Sequence, residues 1–450
     1  MVKLFGTDGI RGVAGEPPLD ARTIFAVGRA VGEFQRESGA RGAVLLGKDT
    51  RESSPWVTSY LAAGLRAARV DAVSGGVLPT PAVARLVRAK GFAAGVVISA
   101  SHNPYRDNGI KLISSSGMKF PDETEARIEE RIERLLGDPT APEPFVPPLD
   151  LTLAEEYLDS LKQAIRRDLP AGLGGLRLVV DCANGAATRV AAQLFGDLGA
   201  AVTAIHSSPD GRNINEGCGA LHPEVVAQKV TAVGADLGVA FDGDADRALF
   251  AAASGRVVNG DGILLLAARA MKQRGALKGA VVVGTVMANL GLEVALKRDG
   301  LALARTTVGD RYVLEEMQRR GANLGGEQSG HIIFLDDSPA GDGLLTALKV
   351  LAVVRATGKG LDELTGDLKV FPQVLRNLRV REKVPFEKVP RVQQAIAEAE
   401  AALGERGRVV VRHSGTEPLA RVMVEAETDA EVERWTQHIS AAIEATLGGS

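Results

Sequence analysis

The sequence of 450 residues is poor in cysteine, in aromatic side chains and in long uncharged stretches. Its two cysteines, Cys182 and Cys218, are too few for a disulfide framework and too far apart for a CxxC pair, so a reducing, cytoplasmic location is expected. Uncharged stretches such as residues 279–292 fall short of the ~18 residues that a membrane-spanning helix needs. We therefore expect no membrane segment. Charged residues near the N-terminus also argue against a signal peptide.

The chain also lacks a strong excess of charge of either sign. A formal net charge of -3 makes a dedicated nucleic-acid surface unexpected, which leaves a small molecule as the favoured ligand. A hydrophobic fraction of 45% and a charged fraction of 24% are typical of a globular protein. At this length, about three domains of ~150 residues each are expected.

Short apolar runs alternate with amphipathic stretches of helical length through most of the chain, which predicts α/β units with mixed, mainly parallel sheets. Three apolar runs end in similar polar turns, AVLLGKDTR, LRLVVDCANG and AVVVGTVMAN, and indicate three similar α/β domains. After residue 371, strands outnumber helices, which predicts a C-terminal α+β domain with an antiparallel sheet. Five prolines in residues 137–149 indicate a linker. The expected domains are residues 1–150, 151–253, 254–368 and 369–450.

The segment GVVISASHNPYRDNGIK, residues 95–111, places a serine where an apolar run ends. The run predicts a buried strand that leads Ser101 into a polar loop with His102 beside it. A hydrolase nucleophile is one interpretation, but the GxSxG elbow is missing. A phosphorylated serine is the other. Lys111 is a candidate general base, because a partly desolvated lysine near a cation can lose its proton; otherwise it is a surface lysine.

The segment DGDADR, residues 242–247, places Asp242, Asp244 and Asp246 at alternate positions of a turn that follows an apolar run. Three carboxylates so close together repel one another unless a cation lies among them. Hard oxygen ligands without histidine or cysteine favour Mg²⁺ over zinc. The spacing excludes an EF-hand, and the remaining alternative is a solvated acidic turn. A phosphate on Ser101 would supply a further oxygen ligand.

Two more loops carry groups suited to a sugar phosphate. RHSGTEPLAR, residues 412–421, offers hydroxyls, backbone donors and two guanidinium groups to a phosphate, and it lacks the pattern of a Walker loop. GGEQSGH, residues 325–331, gathers polar groups that suit hydroxyl or amine recognition. Taken alone, the first is also compatible with an ordinary hairpin and the second with a polar turn.

In their order along the chain, FGTDGIRG, ISASHNPYRDNGIK, DGDADR, GEQSGH and RHSGTEP resemble the motif set of the α-D-phosphohexomutase superfamily. The resemblance extends from residue 5 to about residue 425. It implies four domains around a central cleft, three of them alike, with one loop from each. The segments FGTDGIRG, DGRNINEGCG, VGDRYV and GEQSGH are most similar to members that act on glucosamine phosphates.

The resemblance also implies a role for each matching residue. Ser101 matches the serine that carries the phosphoryl group, and the three aspartates match Mg²⁺ ligands completed by a phosphoserine oxygen. The other positions are His102, Lys111, Arg11 and Arg247 around the transfer; Glu327, Ser329 and His331 at the sugar; and Arg412, Ser414, Gly415, Thr416 and Arg421 at the distal phosphate.

The activity implied is reversible phosphoryl transfer between the 6- and 1-oxygens of a hexosamine phosphate, with glucosamine 1,6-bisphosphate as the priming intermediate. The expected partners are small sugar phosphates, with no nucleic acid and no membrane, and a homodimer is the family expectation. Glucose or mannose phosphates are the nearest alternative substrates. A non-catalytic sugar-phosphate sensor is the alternative from another functional class.

Overall fold

The structure, a computed structural model, describes residues 4–6, 8–137, 142–414 and 418–448. The chain divides into two compact units. The first contains the residues up to Thr285 together with Thr306–Gly366, and the second contains Val286–Arg305 together with the residues from Asp367 onward. The finer division into four domains stays a prediction.

The N-terminal part forms a five-stranded mixed sheet in the order β1-β5-β4-β2-β3. Strands β2, β3 and β4 are parallel, while β5 runs antiparallel to β4 and β1. Strand β4 is buried along its whole length, as the apolar run predicted. The elements are β1 (Ile10–Val13), α1 (Ala21–Glu37), β2 (Val44–Lys48), α2 (Ser54–Ala67), β3 (Ala72–Val77), α3 (Thr80–Lys90), β4 (Ala94–Ile98), β5 (Asp107–Ser114) and α4 (Asp122–Leu135).

The next part repeats this arrangement with the order β10-β9-β8-β6-β7. The strand β6 pairs in parallel with β7 and β8, and β9 is antiparallel to β8 and β10. The elements are α5 (Thr152–Ile165), β6 (Arg177–Asp181), α6 (Ala191–Asp197), β7 (Ala201–Ile205), α7 (Pro223–Val233), β8 (Leu237–Phe241), β9 (Ala248–Ala252) and β10 (Val257–Val258).

A third, shorter version follows, in which β11 and β13 are parallel and β14 is antiparallel to β13. The three segments with similar sequence thus form β2, β6 and β11, each beside a parallel partner, and the predicted repeat is confirmed. The elements are α8 (Gly260–Gln273), β11 (Val281–Thr285), α9 (Leu290–Arg298), β12 (Ala302–Thr306), α10 (Asp310–Arg320), β13 (Leu324–Gly326), β14 (Ile332–Phe334), α11 (Gly343–Thr357) and α12 (Leu361–Leu364).

The C-terminal part is an antiparallel sheet in the order β15-β17-β16 with two long helices, which confirms the predicted α+β class. Its apolar core includes Val392 on one helix, Ile439 on the other and Val422 on the central strand. The elements are β15 (Gln373–Arg379), α13 (Pro390–Leu403), β16 (Gly407–His413), β17 (Leu419–Ala426) and α14 (Asp429–Leu447). Among the described residues, no helix combines the length and apolar character that crossing a bilayer requires.

Candidate active site

The three α/β repeats each place a polar loop after the corresponding strand. The Ser101 loop follows β4, the aspartate segment follows β8, and the segment with Glu327 follows β13. Strands β4, β8 and β13 pair in parallel with β2, β6 and β11, respectively, which are the strands formed by the three similar segments. Carboxyl ends of parallel strands are where ligands bind in α/β sheets, so the repeat places three functional loops at equivalent positions.

Ser101 is almost fully buried, with 2% of its surface exposed. Its backbone has a φ of 52°, a left-handed conformation that is uncommon for a residue with a Cβ. The hydroxyl Oγ donates a hydrogen bond to Asp242 Oδ2 at 2.6 Å and lies 3.2 Å from His102 Nδ1. The structure therefore brings the serine and the aspartate segment together, although 141 residues separate them in sequence.

Asp242, Asp244 and Asp246 form a compact buried cluster whose candidate ligand atoms all lie within 4.8 Å of one another. Burial, followed by the charges of the other two aspartates, raises the pKa of Asp242 well above its usual value. One oxygen of Asp244 and one of Asp246, the Oδ1 atom in each case, are buried without a hydrogen-bond partner. Unsatisfied carboxylate oxygens in so compact a cluster fit a hard divalent cation.

Lys111 is buried against two carboxylates of this cluster and against Asp8, with Nζ 2.8 Å from Asp244 Oδ2, 3.1 Å from Asp8 Oδ2 and 3.7 Å from Asp246 Oδ2. Burial alone would lower the pKa of Lys111, but the three carboxylates outweigh it and hold that pKa well above its usual value. Among these carboxylates the lysine keeps its proton, and its role as general base stays a prediction. In this arrangement the side chain is an ammonium that offsets the carboxylate charge.

The pKa of His102 is shifted in the other direction, toward the uncharged form. Burial, together with the charges of Arg247 and Arg11, lowers the pKa of His102 to about 4. The ring is therefore neutral at neutral pH. Next to Ser101 Oγ it offers a nitrogen that can hold or release a proton, so the structure favours His102 over the lysine for proton transfer.

Arg11 contacts the serine loop and Arg247 contacts the aspartate segment. Arg11 donates from Nη1 to Asn103 Oδ1 at 3.3 Å and forms an ion pair with Asp8. The backbone N–H of Arg247 donates to Asp242 Oδ1 at 3.2 Å. The Nε groups of both arginines are buried without a hydrogen-bond partner, so each guanidinium retains a donor for an anion.

In the segment after β13, Glu327 and Ser329 are partly exposed, whereas His331 is buried. Glu327 accepts a hydrogen bond from the backbone N–H of Gly309 at 3.1 Å, and Ser329 Oγ lies 3.5 Å from Glu327 Oε2. His331 is buried instead, with Nδ1 3.6 Å from Asp246 Oδ2. Burial opposes protonation, but Asp246 raises the pKa of His331 to about 9. The histidine thus contacts the aspartate cluster, and the two partly exposed residues remain the candidates for sugar contact.

Thr80 also belongs to the site, although no sequence pattern selects it. Its Oγ1 donates to Asp244 Oδ2 at 2.5 Å and its backbone N–H donates to the Asp244 carbonyl at 3.0 Å. Thr80 begins α3, far from Asp244 in sequence, and a Thr-Pro pair at a helix start is too common a signal to indicate a site.

The predicted phosphate loop belongs to the second unit. Arg412 on β16 and Arg421 on β17 are directly opposite in the antiparallel register, and Ser414 is buried at the end of β16. Burial, followed by the charge of Arg421, lowers the pKa of Arg412. Like charges directly opposite are destabilising, and an anion between them relieves that cost. Gly415 and Thr416 lie outside the described residues.

Within the part of the chain that the structure describes, a second set of potential ligands is formed by Asp181, His206 and Cys218. The Asp181 carboxylate already accepts hydrogen bonds from the backbone N–H groups of Ala183 and Gly219, and it lies 3.0 Å from His206 Nδ1. Burial raises the pKa of Cys218 to about 12, so its thiol is protonated. This set therefore holds turns together and does not resemble the unsatisfied aspartate cluster.

Four family models match successive parts of the chain. They describe phosphoglucomutase/phosphomannomutase α/β/α domain I at residues 2–136, domain II at 155–255, domain III at 259–371 and the C-terminal domain at 375–442.

Similar curated proteins and solved structures extend over nearly the whole chain. Phosphoglucosamine mutases of Koribacter versatilis and Solibacter usitatus are each 51% identical, with 99% of this chain and 97% and 99% of those proteins covered. A phosphoglucomutase/phosphomannomutase family protein from Burkholderia thailandensis has a TM-score of 0.79 at 26% identity, with 99% of this chain and 98% of that chain covered.

Aspergillus fumigatus N-acetylphosphoglucosamine mutase, solved in complex with GlcNAc-6P and magnesium, has a TM-score of 0.63 at 20% identity over 99% of this chain and 96% of that chain. This likeness shows the fold alone. The family models and the full-length relatives confirm the resemblance drawn from the motifs. They show that this chain belongs to the phosphoglucomutase/phosphomannomutase family.

Proposed function

We propose that the protein is a phosphoglucosamine mutase, an isomerase that interconverts glucosamine 6-phosphate and glucosamine 1-phosphate for UDP-N-acetylglucosamine synthesis. The observation that carries the proposal is the hydrogen bond from Ser101 Oγ to Asp242 Oδ2 at 2.6 Å, within a cluster of three buried carboxylates. A serine in this position is suited to carry a phosphate whose charge completes a metal site. The full-length relatives named phosphoglucosamine mutase support the choice of sugar.

The reaction needs two transfers. In the first, the bond between the phosphorus and Ser101 Oγ breaks while a new P–O bond forms to the free sugar hydroxyl, and the hydroxyl proton passes to Ser101 Oγ. In the second, the bond between the other phosphate of the resulting glucosamine 1,6-bisphosphate and its sugar oxygen breaks, a P–O bond forms to Ser101 Oγ, and the serine proton passes to that sugar oxygen. The neutral ring of His102, 3.2 Å from Oγ, is the proposed proton carrier. Glucosamine 1,6-bisphosphate would also prime an enzyme that has lost its phosphate.

The residues present fit Mg²⁺. Asp242, Asp244 and Asp246 with an oxygen of phosphorylated Ser101 would hold the ion, whose charge neutralises the phosphoryl group during transfer. The A. fumigatus relative solved with magnesium supports this choice of ion. Lys111 offsets the charge of Asp244, while Arg11 and Arg247 offer further donors to the phosphate.

The sugar and the phosphate that is not being transferred need their own contacts. We propose that Glu327 and Ser329 contact the hydroxyl or amine groups of the sugar. We assign the second phosphate to Arg412, Ser414 and Arg421, because the opposed arginines favour an anion. Gly415 and Thr416 are proposed to contribute on the basis of sequence alone.

Substitution of the serine tests the phosphoserine mechanism. Ser101→Ala should abolish mutase activity and remove an addition of about 80 Da from the intact mass of the phosphorylated protein. Ser115→Ala, at an exposed serine nearby in the same domain, is the matched control and should keep both. Retention of activity in Ser101→Ala would show that the mechanism is wrong.

Substrate choice is tested separately with the phosphorylated wild-type protein. Turnover of glucosamine, glucose and mannose phosphates should be fastest for glucosamine. A clear preference for mannose 1-phosphate would overturn the choice of sugar but leave the chemistry standing. Absence of turnover for all three would favour a non-catalytic sugar-phosphate sensor. The cytoplasmic location and the homodimer remain predictions, and light scattering after size-exclusion chromatography tests the dimer.

A further inference from the structure

Arg51 is fully buried beneath the Ser101 loop, with no exposed side-chain surface. Its Nε donates to Asp49 Oδ2 at 2.8 Å. Its Nη2 donates to the carbonyls of Ser101 at 3.0 Å and Asn103 at 2.8 Å, and its Nη1 donates to the carbonyls of Asp107 at 3.0 Å and Pro104. A guanidinium has five N–H donors, so every one is used, and four of them bind the backbone of this single loop.

The loop is held from the second α/β repeat as well. Asn215 Nδ2 donates to the Ser101 carbonyl at 2.9 Å and to the Asn103 carbonyl at 3.2 Å. Gly243 in the aspartate segment packs so closely that a Cβ there would lie 2.4 Å from the Ser101 carbonyl oxygen. Two donors and one close backbone contact therefore converge on the same carbonyl group.

The N–H side of Ser101 is fixed by a matching set of bonds. The Ser101 N–H donates to Ser99 Oγ at 3.0 Å, and Ser99 Oγ donates to Asp49 Oδ2 at 2.6 Å, the same carboxylate oxygen that binds Arg51. Ser54 Oγ donates to the other oxygen of Asp49 at 2.8 Å. Asp49 and Arg51 thus fix both peptide groups next to the serine, which stands in a left-handed conformation.

We propose that Arg51, assisted by Asn215, is a positioning residue for phosphoryl transfer. By binding the loop carbonyls it holds Ser101 in the left-handed conformation and directs Oγ toward the aspartate cluster. This inference rests on the proposed function and adds a residue that does not touch the substrate. A misplacement of about 1 Å can cost ~100-fold in rate, so the effect belongs to turnover and not to sugar binding.

Arg51→Lys is the first test, because lysine keeps the charge but offers three donors in place of five. The expected result is a fall in kcat of about 100-fold with KM for the sugar phosphate within about threefold of wild type. Arg131→Lys is the matched control, because Arg131 binds the Glu37 carboxylate in the same unit with two hydrogen bonds and does not touch the loop. It should leave both constants unchanged.

Asn215→Gly is the second variant, needed in case Arg51→Lys fails to fold. It removes two hydrogen bonds to the loop while glycine accepts the left-handed φ of 60° at this position. A fall in kcat of about 10-fold at unchanged KM is expected. Circular dichroism and thermal melting must show that each variant is folded at the assay temperature.

A second assay measures phosphoryl transfer to Ser101 independently of which hexose phosphate the protein prefers. Dephosphorylated protein is incubated with glucose 1,6-bisphosphate, and intact mass follows the addition of a phosphate to Ser101. In this step a sugar P–O bond breaks, the P–Oγ bond forms, and the serine proton passes to the sugar oxygen. Phosphorylation should be slower in both variants and normal in Arg131→Lys.

The outcomes separate the two proposals. Wild type that is phosphorylated but turns over none of the glucosamine phosphates contradicts the proposed function alone, and the loop variants are then judged by phosphorylation rate. Folded variants that phosphorylate and turn over as wild type does overturn the role of Arg51. The same conclusion follows if only KM changes, or if activity falls only in proportion to folded protein.

Discussion

Asp242 and Asp246 lie four residues apart, yet their surroundings shift the pKa values of their carboxyl groups in opposite directions. Burial and two neighbouring carboxylates raise the pKa of Asp242. Burial also opposes ionisation of Asp246, but Lys111 and His331 outweigh it and hold its pKa well below the usual range. Without a bound cation, ionisation is therefore unfavourable at Asp242, the partner of Ser101, and favourable at Asp246.

Asp242→Asn is predicted to stabilise the metal-free protein while abolishing catalysis. The amide oxygen can still accept from the Arg247 N–H, and the amide nitrogen can donate to Ser101 Oγ, so both hydrogen bonds survive without the charge. We expect an increase of about 1 kcal/mol in unfolding free energy in EDTA and a loss of at least ~100-fold in kcat. Thermal melting with and without Mg²⁺ checks this. A variant less stable than wild type in EDTA would contradict the argument.

The two cysteines give a prediction about pH. Burial raises the pKa of both Cys182 and Cys218 to about 12. The thiolate is the reactive form and increases only as pH approaches that value, so at pH 8 neither thiol of the native protein should react with a thiol-specific dye. The same assay in guanidinium chloride should count both cysteines of the sequence. Rapid labelling of the native protein would show that a cysteine is accessible.

At the scale of elements, the start of α8 supports the loop that carries Glu327. The backbone N–H of Gly260 donates to the Gln328 carbonyl at 3.0 Å, and a Cβ at Gly260 would lie 2.0 Å from the Glu327 carbonyl oxygen. Only a residue without a side chain allows this approach. The position of the proposed sugar contacts therefore depends on one glycine in a helix.

Gly260→Ala is predicted to displace this loop and raise KM for the sugar phosphate by about 10-fold, with a loss of about 1–3 kcal/mol in stability from overpacking. Gly196→Ala is the matched control, because Gly196 lies in α6 and a Cβ there meets nothing within 4 Å. It should gain about 0.5–1 kcal/mol from helix propensity. Steady-state kinetics measures KM and urea unfolding measures stability. The same KM and the same unfolding free energy in both variants would contradict the proposed role of Gly260.

At the scale of the whole molecule, each compact unit has its own tryptophan. Trp56 lies in α2 of the first unit and Trp435 in α14 of the second. The second unit also contains a fully buried carboxylate, Glu425, whose Oε2 accepts from Arg408 Nε at 2.9 Å. Removing one partner of a buried ion pair leaves the other charge uncompensated.

Arg408→Ala should therefore lower the stability of the second unit by about 3–5 kcal/mol. Urea unfolding would be followed by tryptophan fluorescence in Trp56→Phe and Trp435→Phe backgrounds, so that each trace reports one unit. We expect separate transitions, with Arg408→Ala moving only the one seen by Trp435. Coincident transitions that shift together would show that the chain unfolds as one cooperative body.

The aspartate cluster and the repeated fold were predictable because their signals are local. Asp242, Asp244 and Asp246 lie within five consecutive residues, and β2, β6 and β11 each end in a polar turn that can be seen in the sequence. The role of Arg51 could not be predicted in this way. Its segment belongs to the predicted repeat, but the carbonyl groups that it binds in the serine loop lie 50 to 56 residues away.

The sequence alone determined the family, the α/β repeats with an α+β C-terminal part, and the serine with its three aspartates, because motif spacing and apolar periodicity are properties of short segments. Only the tertiary structure decided the charge state of Lys111, which depends on Asp8 and Asp244 from distant parts of the chain. It also placed His331 on the aspartate cluster and Arg51 under the serine loop. Burial and the contacts between charged groups that are distant in sequence depend on tertiary packing, which no single segment determines.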